Sequence, residues 1–98
     1  MLIFNSIREI KEYLEDIESE ALFCDGYDDA ILGLAETFGG LVIVYDRSKI
    51  IDKLIQDGMT LEEAEEYFSF NISGSGGDNM PIYMMARGEF YENPIIEK

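Results

Sequence analysis

The 98 residues carry 21 Asp and Glu against 7 Lys and Arg, a formal net charge of -14, with no histidine and a single cysteine. That length supports one domain, since a second core needs roughly 50 residues of its own, and 47% hydrophobic residues with 12% aromatics suffice to fold it. The charge argues against binding to nucleic-acid phosphates or anionic membranes, and the missing histidine excludes Ser/His/Asp and Cys/His nucleophiles and His-ligated metals within these residues.

Apolar residues at Ile3, Ile7, Ile10, Leu14 and Ile17 alternate steps of four and three, which predicts a first helix over 3–17. Glu9, Glu12, Asp16 and Glu20 follow the same spacing on its outer side and form an acidic stripe. Ala21 to Cys24 is short and apolar and reads as a strand, with Cys24 a small buried hydrophobe, before Asp25-Gly26 favours a turn. Ala30 to Phe38 fits a helical face or a central strand; Gly33 weakens the helix, and strand is the preferred reading. Gly39-Gly40 turns into Leu41 to Tyr45, which is β-branched, bounded by turn residues and the clearest strand.

Asp46 or Ser48 can cap a second helix with the apolar face Ile50, Ile51, Leu54 and Ile55, which Gly58 ends. Thr60 and Glu63 make a capping box for a third helix, one side of which carries Leu61, Ala64, Tyr67, Phe68 and Ile72. Ser73 to Asn79 has loop composition, and Pro81 to Ala86 reads as a last strand with proline at its start. The tail 88–98 is polar with Phe90, Tyr91, Ile95 and Ile96 mixed in, and either packs or frays. The expected fold is α+β: a single domain over 1–98, in which a small, mainly antiparallel sheet of about four strands is covered by three helices. The unpaired thiol, an N-terminus without a basic signal region and a longest apolar run of only Leu41 to Tyr45 place the expected location in the cytosol.

No catalytic or cofactor-binding constellation stands out. Asp25, Asp28 and Asp29 are weak candidates for a divalent metal, but the EF-hand spacing is not met and turn or cap chemistry is the simpler reading. The glycine-rich segment 73–77 follows a helix and lacks the Gly-Lys ending of a phosphate loop. Phe70 is the informative residue, because at 100° per residue it falls opposite the Leu61, Ala64, Phe68 stripe and beside Glu63 and Glu66. Either the helix has ended or the tail covers the ring, or an exposed aromatic among acids is an interface anchor.

At D-G-Y-D-D-A-I-L-G (Asp25 to Gly33), V-Y-D (Val44 to Asp46), D-G-M-T-L-E-E-A-E-E-Y-F-S-F-N (Asp57 to Asn71) and P-I-Y (Pro81 to Tyr83) the chain resembles short proteins common in bacteriophage genomes, over roughly residues 22 to 84. The resemblance implies provenance, a phage or prophage accessory protein, and supplies no catalytic residue. Small acidic phage proteins are often inhibitors of host defence, anti-CRISPR proteins among them.

The leading expectation is therefore an acidic interaction protein, not an enzyme and without a cofactor, that occupies a basic surface of a host protein in the manner of a DNA mimic. Glu62, Glu63, Glu66 and Phe70 are its expected partner surface, with Glu9, Glu12, Asp16 and Glu20 as a second acidic stripe. One alternative is a self-associating structural or regulatory module whose acidity serves solubility. Another is a small-ligand or divalent-metal binder using Asp25 to Asp29.

Overall fold

A computed structural model describes residues 6–73 and 79–85. Helix α1, Ile7–Asp16, starts where the Ser6 hydroxyl accepts the Glu9 N–H at 3.2 Å and buries Ile10 and Leu14. It ends in a Schellman turn: the Glu18 N–H donates to the Glu15 carbonyl at 3.0 Å and the Ser19 N–H to the Leu14 carbonyl at 2.9 Å. Glu18 occupies the left-handed position of that turn with φ +55°. The helix therefore stops before Ile17, and Glu20 lies beyond it.

Ala21 to Cys24 is not a strand. Its N–H groups go to scattered acceptors instead of a ladder: Leu22 to the Asn79 carbonyl at 3.0 Å, and Cys24 to the Tyr45 hydroxyl at 2.6 Å. Ala21, Phe23 and Cys24 still pack against the core, so the apolar run is explained by burial without sheet pairing. The turn at Asp25-Gly26, where Gly26 has φ +91°, leads into a single 3-10 turn, Asp28–Ala30.

Strand β1, Ile31–Thr37, pairs antiparallel with β2, Gly40–Asp46, with a register shift between Ile31 and Gly33. The hairpin tip is Phe38-Gly39, and Thr37 holds it by donating its hydroxyl to the Gly40 carbonyl at 2.7 Å. Helix α2, Arg47–Gln56, follows at once; Asp46, not Ser48, is its cap, accepting the Ser48 N–H at 3.0 Å. Gly58, φ +114°, ends it as expected. The capping box of helix α3, Leu61–Tyr67, is present in full. Strand β3 is Ile82–Met84.

The sheet has three strands among the described residues, ordered β1-β2-β3, and it is mixed: β3 runs parallel to β2, pairing Val44 with Ile82 and Tyr45 with Tyr83. The expected four strands are corrected to three; the longer pairing, β1 with β2, is antiparallel as expected, and β3 adds a short parallel one. A parallel partner requires a long crossover, and α2 with α3 supplies one between β2 and β3.

All three helices cover one face of this sheet. Ile43 and Tyr45 of β2 meet Ile10 and Leu14 of α1, Ile50, Ile51 and Leu54 of α2, Ala64 of α3 and Phe68 beyond it. The opposite face carries Val42, Val44 and Asp46 of β2, with Ile82 in register with Val44 and Met84 with Asp46; Val42 and Asp46 are buried, whereas Ile82 and Met84 are exposed. The loop residues 74–78 and the expected tail 88–98 lie outside the described residues.

Candidate functional site

The exposed face of α3 is anchored at Thr60. Its hydroxyl accepts the Glu63 N–H at 3.1 Å, and the Glu63 carboxylate accepts the Thr60 N–H at 2.9 Å, which holds Glu63 against the first turn of α3. Two turns later the helix widens. Phe68–Ile72 form a π-helical turn closed by the Ser73 N–H on the Phe68 carbonyl at 2.8 Å, a geometry that recurs at functional sites.

The two phenylalanines of this turn face opposite ways. Phe68 is 4% exposed, its ring edge-on to Tyr83 with centroids 5.0 Å apart. Phe70 is 80% exposed. Phe70, Tyr67, Met59, Asn71, Glu63 and Glu66 line an open groove of about 430 Å³. Of the expected partner residues, the fold thus brings Glu63, Glu66 and Phe70 together, while Glu62 stands exposed on the same helix and does not line the groove. Tyr67, expected on the buried side, is 41% exposed, because burial centres on Ala64 and Phe68 and a helix turns 100° between Phe68 and its neighbour.

The second stripe is less continuous than its spacing suggests. Glu9 is half-buried, and Arg8 and Glu12 approach to 3.9 Å across one turn. Asp16 is exposed at the helix end, and Glu20 is off the helix. The three aspartates do not assemble. Asp28 pairs with Lys11 at 2.9 Å beside a cavity of about 620 Å³ that Asp25 also lines, whereas Asp29 lines a separate depression with Lys49, Asp52 and Lys53. Among the described residues no group of three or more Cys, Asp or Glu side chains is arranged to hold a metal ion.

Cys24 is half-buried and hydrogen-bonded to Tyr83; burial pushes its thiol above the ordinary value, against the lowering effect of that bond, so it is a poor thiolate. Burial also raises the Tyr27, Tyr45 and Tyr83 phenols, Tyr83 most of all.

Compared with protein-family models, curated proteins and solved structures, the chain matches none of them. No helix among the described residues is long and apolar enough to cross a membrane.

Sequence reasoning missed Met59, Tyr67 and Asn71 as groove walls, and it missed Phe38. Phe38 is fully exposed at the hairpin tip. Its signal was available, since a residue directly before Gly-Gly between two strands belongs to the turn and not to the sheet.

Proposed function

We infer that this chain is an acidic interaction protein that binds a basic surface of a host protein, in the manner of a DNA mimic, acting in the cytosol and without catalysis. The observation that carries this reading is Phe70, a bare aromatic ring set between Glu63 and Glu66 on a chain of net charge -14. Fixed carboxylates steer a basic partner at long range and release its counterions, while a desolvated ring anchors the contact. The phage resemblance supports a host target.

The test is capture from host lysate at low salt, eluted by rising salt, with Glu62→Lys/Glu66→Lys as the control bait. The expected catch is basic proteins that the control loses. A catch that is not basic, or that the control bait retains, contradicts the reading.

A second reading, self-association, is supported by the exposed Ile82 and Met84 of β3, which is an outer strand of the sheet among the described residues, and by the exposed Leu32 on β1. Light scattering across protein concentration decides it: a monomer at all concentrations and moderate salt removes it.

A further inference from the structure

Three times within its own fold this protein seats a cation on an aromatic ring and closes it with an oxygen. The Arg47 guanidinium carbon lies 5.0 Å over the Phe68 ring, with Glu65 3.9 Å from its Nη2. Lys11 Nζ lies 5.3 Å over Phe23 and 2.9 Å from Asp28. Lys53 Nζ lies 5.6 Å over Tyr27 and donates to the Gly26 carbonyl at 2.7 Å.

The groove on the outer side of α3 repeats the anionic half of this arrangement. Phe70 and Tyr67 present their rings, Glu66 and Glu63 their carboxylates, and no cation lies over either ring among the described residues. Glu63 is already engaged by the Thr60 N–H, which leaves Glu66 as the carboxylate best placed to pair. The π-helical turn sets this face apart from the inner one: Phe68 takes the chain's own arginine, and Phe70, two residues on, points outward.

We propose that the groove of Met59, Glu63, Glu66, Tyr67, Phe70 and Asn71 is a docking cleft for an arginine side chain of a basic partner. The guanidinium stacks on Phe70 and pairs with Glu66. Arginine fits better than lysine, because its flat, weakly hydrated head lies on a ring face and still donates to a carboxylate at its edge, whereas an ammonium keeps its water. The proposal rests on the reading of the protein as a ligand for basic surfaces and gives that surface its side-chain chemistry.

The chain contains no tryptophan. Phe70→Trp therefore places a unique fluorophore in the cleft while keeping a cation-binding ring. Nona-arginine and nona-lysine peptides of equal charge are titrated into the native protein, Phe70→Trp and Phe70→Ala at low salt, with melting curves to confirm folding. Nona-arginine is expected to bind the native protein about two- to five-fold more tightly than nona-lysine, to change the emission of Phe70→Trp, and to lose that advantage in Phe70→Ala. Equal affinity for the two peptides, with Phe70→Ala changing neither, overturns the cleft and leaves the acidic-surface reading standing. Absence of salt-sensitive binding to either peptide overturns both. An emission change in Phe70→Trp that follows protein concentration and needs no peptide assigns the groove to a second copy and overturns the cleft.

Discussion

Glu18 and Gly58 hold the same position in two Schellman turns, after α1 and after α2, at φ +55° and φ +114°. Only the second has the residue that takes a left-handed backbone without a Cβ penalty. Glu18→Gly is expected to stabilise the fold by about 0.5 to 1 kcal/mol, read as a higher urea midpoint, and Gly58→Ala to cost about 1 kcal/mol or more. The reverse order of these two effects contradicts the turn assignment. A second residue-scale prediction comes from the buried thiol and phenols. Folding raises Cys24 from 9.0 and Tyr27, Tyr45 and Tyr83 from 10.0, so their contribution is complete below those values and is lost as pH rises through the higher folded ones. An absorbance titration should show part of the six tyrosines ionising late, together with alkaline unfolding. Six phenols titrating together near the ordinary value, with the fold intact, would contradict this burial.

At the scale of the element, the π-helical turn makes a sharp prediction from two identical side chains. Phe68→Ala removes a ring from the core and should cost about 3 to 5 kcal/mol, whereas Phe70→Ala should stay within about 0.5 kcal/mol of the native stability. Chemical denaturation of both variants measures this. Helical spacing placed Phe70 on the outer side but left open whether the helix had ended or the tail covered the ring; the Thr60 cap was readable because it depends on residues within one turn, and Asp46 was one of two caps offered, with Ser48. The hairpin was readable for the same reason: Gly39-Gly40 and the β-branched run after it are local signals.

Two element-scale readings failed where the deciding contacts are distant in sequence. Ala21 to Cys24 has the composition of a strand, yet Leu22 donates its N–H to the Asn79 carbonyl and Cys24 to the Tyr45 hydroxyl, partners that no local pattern announces. The direction of β3 is decided by its pairing with Val44 to Asp46, far back in the sequence, and the α2 and α3 crossover permits a parallel partner without dictating one. The groove was half legible: helical spacing placed Glu63, Glu66 and Phe70 together, but Met59 joins them through the loop before α3 and Asn71 through the π-helical widening.

For the whole molecule, charge is the dominant fact. Fourteen uncompensated negative charges on 98 residues repel one another most in the folded state, so the melting temperature should rise from low to moderate salt as screening takes hold. A flat profile would show that repulsion is not limiting. Net charge alone, however, would give every acidic face the same affinity, and the account here assigns binding to one of them. Two double reversals shift the net charge equally and separate these possibilities: Glu62→Lys/Glu66→Lys on α3, and Glu12→Lys/Asp16→Lys on α1. None of the four residues is buried, and Glu63 is left in its capping box. The most direct measurement is the association and dissociation rates of nona-arginine on each variant at low salt. The account predicts that the α3 reversal abolishes binding while the α1 reversal mainly slows association; equal losses in both variants would contradict it.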